Sequence, residues 1–208
     1  VHALYILGDF FESWVGDDDA SPFATTVKTA LKTASARFPI YFQHGNRDFL
    51  LGHAFAKETN LKLLPEEYRL SLYGTALLLM HGDLLCTLDI NYLKTRKWFH
   101  TTWVQWLFLR MPRRYREKIA AHLRAKSMSH TKTMTPEIMD VSQEAVQNVM
   151  QRYAVNTLIH GHTHRPAFHE FMFHTTKQSR IVLGAWHEKG NALIWQENGE
   201  KHWEEFGP

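Results

Sequence analysis

Two histidines, His162 and His164, stand one residue apart directly after a short apolar run at residues 157–160. Side chains on an extended segment repeat every second residue, so the two imidazoles could face the same way. Neutral imidazole is a common ligand for zinc, manganese and iron. A lone His-x-His proves little, because such pairs more often decorate a surface or a core. Its company makes it informative: Gly8-Asp9, Gly45-Asn46-Arg47-Asp48 and His81-Gly82-Asp83 each follow an apolar run and offer an oxygen or nitrogen donor. Asp9, Asn46, His81, His162 and His164 make a mixed O/N set without thiolate, suited to manganese, iron or zinc and unlike a structural cysteine-rich zinc site. A carboxylate such as Asp9 can bridge two ions, and an ion pair can activate water and neutralise phosphoryl oxygens during in-line displacement.

Such a set works only if strands deliver it to one place. Residues 3–7 read as a buried parallel strand ending at Asp9, and residues 39–43 as a second strand ending at Gly45-Asn46-Arg47-Asp48. Ser21-Pro22 reads as a cap and first helical residue, opening a helix to about residue 36. A further helix is expected over residues 49–57. The acidic run Asp17-Asp18-Asp19 reads as a solvated turn and helix cap. Residues 70–73 and 76–80 flank Gly74 as a hairpin whose second strand ends at His81. Residues 88–111 carry a helical pattern with Phe99, Trp103, Trp106 and Leu107 on one face. Pro112 breaks it, and residues 113–126 form a basic helix with Ile119 and Leu123 inward, followed by a polar loop over 127–134. Thr135-Pro136-Glu137 opens a third helix with Ile138, Val141, Ala145 and Val149 on one stripe. Residues 181–183 and 192–195 read as a closing strand pair. Alternating strands and helices predict a single α/β sandwich domain over 1–208, with residues 88–134 as a helical insertion. Ligands in open α/β sheets bind beyond the carboxyl ends of strands, where all five candidate ligands are expected.

Composition narrows the class. The chain has 208 residues, enough for one domain with a proper core, and its single cysteine, Cys86, excludes an intrachain disulfide framework. No apolar run approaches the ~20 residues needed to span a bilayer, and no signal-peptide pattern opens the chain, which predicts a cytosolic protein. Net charge is +3, but residues 94–126 hold ten Lys or Arg and one Glu. A cationic block of that kind points to a membrane surface, nucleic acid or a phosphorylated substrate.

The order of these motifs resembles the calcineurin-like metallophosphoesterases, and more closely the bacterial UDP-2,3-diacylglucosamine hydrolases of lipid A synthesis. Residues 8–18, 42–50, 81–87, 124–127, 138–141, 158–166 and 183–187 all resemble that family, so the likeness runs from end to end. It implies hydrolysis of the substrate's pyrophosphate bond to UMP and 2,3-diacylglucosamine 1-phosphate (lipid X), in a cytoplasmic enzyme peripheral on the inner membrane. It also implies Mn2+, two per site: Asp9 as the bridging ligand, Asn46, His81 and His162 completing one site, and His164 serving the other. Arg47 would steady phosphate with its planar fork of donors. Asp89 and Ser127 would touch the glucosamine or its phosphate. Thr131 and Met134 stand where the family has an asparagine and a lysine, with Lys132 a substitute. The aromatic and basic helices would then form a lid, apolar toward two acyl chains and cationic toward anionic lipid, rather than a nucleic-acid surface. No obligate protein partner is implied. Rival readings are a phosphoesterase acting on a soluble nucleotide and a catalytically dead lipid-binding remnant.

One departure stands out. The family opens with a strand carrying Asp-x-His, which supplies two ligands of the first ion, and nothing here matches it; His2 is no replacement. One metal site is therefore complete and the other keeps only Asp9 and His164. The expectation is a fragment of a longer protein with impaired turnover.

Overall fold

The computed structural model describes residues 1–207 apart from 134, 136, 137, 139, 187 and 188, and of residues 130–133 the backbone alone. The chain packs as two compact units, Val1–Pro65 with Leu88–Met139 and Glu66–Thr87 with Asp140–Pro208.

In the first unit, β1 (Leu4–Leu7), β2 (Ile40–Gln43) and β3 (Lys62–Leu63) form a parallel sheet in that order, with Leu4 opposite Ile40 and Tyr41 opposite Lys62. Among the described residues β1 pairs with one strand, so it is less buried than its apolar sequence predicts: Leu7 is buried, whereas Leu4 is 37% exposed. Helix α1 (Pro22–Ser35) starts as the sequence dictates, with the Ser21 hydroxyl accepting from Ala24 N and Pro22 in the first turn. It turns Ala24, Lys28 and Leu31 inward at helical spacing. Helix α2 (His53–Thr59) begins four residues later than expected. Gly52 at its N-cap has no side chain to offer, and the cap comes from Asp17, whose carboxylate accepts from Gly52 N and Phe55 N, both at 2.9 Å. Phe11, Trp14 and Phe55 meet ring to ring over Ile40, Phe42 and Leu51 to make this unit's core. Each such side chain contributes roughly 1.5–3 kcal/mol on burial.

The acidic run is a turn with Asp18 exposed and a helix cap, as expected, and its carboxylates are also engaged in ion pairs. Asp17 caps α2, Asp19 pairs with Arg113 at 2.7 Å, and Asp18 pairs with Arg116, a cation only 2% exposed. The Arg116 guanidinium holds the Asp18 carboxyl below its usual range against the opposing effect of burial.

The helix expected over 88–111 is two, α3 (Ile90–Phe99) and α4 (Thr102–Leu109). The break falls at His100-Thr101, where the Thr101 hydroxyl donates to Lys97 O and His100 stacks on Phe49. Hydroxyls that compete for main-chain carbonyls weaken a helix interior. Helix α5 (Arg113–Thr133) runs through 127–133, where a loop was expected, because no glycine or proline interrupts it. The inward face expected for it is also corrected: Ile119 and Leu123 are 37% and 36% exposed, and among its described side chains Arg116 is the one buried.

In the second unit the sheet order is β4 (Glu67–Leu72), β5 (Thr75–Met80), β6 (Thr157–His160), β8 (Thr176–Val182), β7 (Ala167–Phe173). Tyr73 and Gly74, both at positive φ, close the β4–β5 hairpin as a two-residue turn of the kind that suits strand twist. β5, β6 and β8 are parallel. Helix α6 (Gln143–Arg152), capped by Ser142, buries Val146, Val149 and Met150 against Leu78, Met80 and Leu158. It begins well after Thr135; of the expected start, residues 136 and 137 lie outside the described residues. Ile181 does not pair with residues 192–195. It lies between Ile159 and Phe168 in the main sheet, and β9 (Gly190–Trp195) pairs instead with β10 (Lys201–Phe206). Strand β7 alternates too weakly in the sequence to reveal the partner that β8 takes. The mixed α/β class is as expected.

Candidate metal centre

Each unit carries part of the candidate set at the carboxyl ends of neighbouring parallel strands. In the first, β1 and β2 lie in register, so the loops after them emerge side by side. Asp9 sits there at φ 54, a left-handed conformation uncommon for a residue with a side chain. Its Oδ1 accepts from Arg47 N at 2.9 Å, and Oδ2 lies 3.4 Å from Arg47 Nε, an ion-pair contact without hydrogen-bond alignment. Arg47 also reaches Glu12 Oε1 at 2.9 Å, and Glu12 Oε2 takes Arg124 Nη2 at 2.5 Å. Asn46 lies in the same loop, between Gly45 and Arg47. A Cβ on Gly45 would fall 2.3 Å from Asp9 N and Oδ1, so only glycine lets the two loops approach this closely. Asp48 is fully buried and joins them, Oδ2 accepting from Phe10 N at 2.7 Å and Oδ1 from Gly45 N at 2.8 Å. The sequence reading passed over Asp48 and Glu12 as working residues. Asp48's signal was its place in the Gly45–Asp48 motif, while Glu12 gave none.

In the second unit Met80 and His160 are register partners, which sends His81 and the loop 161–165 out at the same end of the sheet. Gly161 N donates to His81 O at 2.9 Å, tying the loop back. The buried His81 presents Nε2 at 3.2 Å from His162 Nδ1, with the rings at 72°. Burial, reinforced by His81, pushes the His162 imidazole down to about 3, so it is neutral at physiological pH and keeps the lone pair that a metal requires. His162 and His164 both hold left-handed backbone, φ 64 and 57. Non-glycine residues there cost of order 1–3 kcal/mol each and persist where function demands a particular side-chain direction. Imidazole nitrogens suit a divalent cation of the manganese–zinc series, as do the carboxylate and the amide that the first unit carries.

The other candidates lie elsewhere in the first unit. Asp89 caps α3, accepting from Tyr92 N at 2.9 Å. Ser127 is exposed midway along α5. Thr131 and Lys132 lie in its last turns, where the backbone alone is described, and Met134 is outside the described residues.

A family model described as calcineurin-like phosphoesterase matches residues 1–166. The chain belongs to that family of metal-dependent hydrolases. It is 51% identical over 192 residues to a UDP-2,3-diacylglucosamine hydrolase of Klebsiella pneumoniae, which covers 92% of this chain and 80% of that protein. It is 49% identical over 199 residues to the protein of the same name from Shewanella piezotolerans, 95% of this chain and 82% of that one. Among solved structures it resembles a novel archaeal phosphodiesterase with a TM-score of 0.51, over 99% of this chain and 84% of that one. At 13% identity that likeness speaks to the fold alone.

Proposed function

We propose that the protein hydrolyses the pyrophosphate bond of UDP-2,3-diacylglucosamine, releasing UMP and 2,3-diacylglucosamine 1-phosphate. The observation that carries this reading is the half-identity to relatives bearing that name. The facing ring nitrogens of His81 and His162, with His162 held neutral by burial, support it. Asp9, Asn46, His81 and His162 would hold one Mn2+, with Asp9 and His164 contributing to a second. When bound, such ions lower the pKa of water and neutralise phosphoryl oxygens. Arg47 is suited to the substrate phosphates, its fork now held by Asp9 and Glu12. Asp89, Ser127, Thr131, Lys132 and Met134 remain assigned to the sugar and its phosphate by family likeness.

Residues 88–134 act as the lid of the domain. Trp98, Trp103, Trp106 and Leu107 are each more than half exposed on α3 and α4, beside the basic α5, a pairing suited to acyl chains and anionic lipid. Among the described residues no helix is long and apolar enough to cross a membrane. By family likeness the protein would work peripherally on the cytoplasmic face of the inner membrane.

The test compares acylated and de-acylated UDP-glucosamine with the protein expressed from its own gene, with and without manganese. Hydrolysis should require the metal and the acyl chains, and Asp9→Ala should cost more than about 100-fold in kcat/KM. Equal turnover of the de-acylated sugar would reject the lipid substrate, and turnover indifferent to chelator would reject the metal.

A further inference from the structure

The second unit contains a cavity of about 200 Å³ on the face of the β7–β8 pair. The floor is a cross-strand block, Ala167 opposite Val182 and His169 opposite Arg180. Its walls are Thr163 and Arg165, from the loop that carries His162 and His164, and Asp140. Arg180 is 9% exposed, and its Nε is buried without a hydrogen-bond partner. Nη1 of the same guanidinium lies 3.4 Å from His160 Nε2, a contact that fixes the side chain. His160 accepts it in its neutral form: Nδ1 lies 2.9 Å from Gly161 O, which leaves Nε2 as the lone-pair nitrogen. Asp140 pairs with Arg165 at 3.4 Å, both half exposed at the rim.

A largely buried guanidinium on the wall of a cavity, with one donor left without a partner, is costly unless something anionic answers it. We propose that this cavity is an oxyanion site taking a phosphate group, free or as the terminal group of a nucleoside monophosphate, between the Arg180 and Arg165 guanidinium groups that line it. Guanidinium forks match phosphate oxygens in geometry as well as charge, and the Thr163 hydroxyl adds a neutral donor. Asp140 is the gate charge. It holds Arg165 in the absence of a ligand and repels an incoming anion. Because Thr163 and Arg165 flank His164, occupancy would steady the loop that carries both candidate ligand histidines. The proposal does not rest on the substrate assigned above, since anion binding can be measured with no metal and no turnover.

Calorimetric titration of the chelator-treated protein with inorganic phosphate and, in parallel, uridine 5′-monophosphate tests it. One site per chain is expected. Arg180→Met should weaken it by about tenfold or more, and Asp140→Asn should tighten it several-fold, about the range of one charge-assisted hydrogen bond. Arg180 lies inside the sheet, so its loss could also disturb folding; Asp140→Asn, at the rim and opposite in sign, is free of that ambiguity. Equal affinity for the two probes assigns the site to free phosphate, and tighter binding of the nucleotide assigns it to a phosphoester; either supports the proposal. No saturable binding of either probe, or an Asp140→Asn affinity unchanged from the parent, overturns it.

Discussion

Replacing Asp48 by asparagine keeps the size of a fully buried side chain and removes one of its two acceptors. Oδ1 and Oδ2 each receive a main-chain N–H, from Gly45 at 2.8 Å and Phe10 at 2.7 Å. The amide oxygen of asparagine can serve one of these, while its NH2 must face the other N–H. The loss is one bond to a charged acceptor, about 1.5–3 kcal/mol, plus one stranded donor, about 1–3 kcal/mol. A fall of about 3–5 kcal/mol is therefore expected, a large share of the roughly 5–15 kcal/mol that holds a domain together. In urea, with a slope of about 1–3 kcal/mol/M, the midpoint followed by tryptophan fluorescence should drop by more than about 1 M. Gly45 and Phe10 flank Asn46 and Asp9, so manganese affinity, read by electron paramagnetic resonance, should weaken by about 10–100-fold, as for other residues that orient ligands. A midpoint within about 0.3 M of the parent, together with unchanged metal affinity, would refute the claim that this carboxylate fastens the two loops together.

Two further outcomes follow from buried charge. Arg116→Met strips charged donors from Val15 O and Met111 O, at about 1.5–3 kcal/mol each, while the exposed Asp18 loses little, so a loss of about 3–5 kcal/mol is expected, lowering Tm by roughly 2–4 °C per kcal/mol; an unchanged melting curve would contradict it. His160 is fully buried, and burial pushes its imidazole down to about 4, so stability should be full above pH 6.5 and fall as pH drops from there toward 4, where the unfolded chain binds a proton the folded one refuses. In chelator-treated protein this amounts to about 3 kcal/mol, and a flat urea-stability profile between pH 7 and pH 4.5 would count against it.

Much of the fold was legible because local chemistry and tertiary demand agree. Ser21-Pro22 starts α1, Gly74 turns the first hairpin, and the apolar runs before Asp9, Gly45, His81 and Gly161 are strands whose ends carry the polar motifs. Illegible features depended on partners distant in sequence. Nothing near Gly52 announces that its helix will be capped from Asp17, or that Asp18 will meet Arg116 across 98 residues. Amphipathic pattern misled at Ile119 and Leu123, since a helical stripe specifies a face without specifying what covers it. Of the candidate site, the sequence reading picked out Asp9, Asn46 and Arg47 in one unit and His81, His162 and His164 in the other, but not the buried Asp48 that braces the first group.

The distant cap on α2 also bears on the order in which the protein assembles. Seven residues are too few to stay helical alone, because nucleation in water outweighs so short a ladder. The turn around Asp17 must therefore arrive before α2 can persist, closing a loop of 35 residues first. Peptides spanning residues 49–60 should be coil in isolation, and in the growing chain this stretch should gain order together with the aromatic cluster that carries Trp14, as one cooperative event rather than a local one.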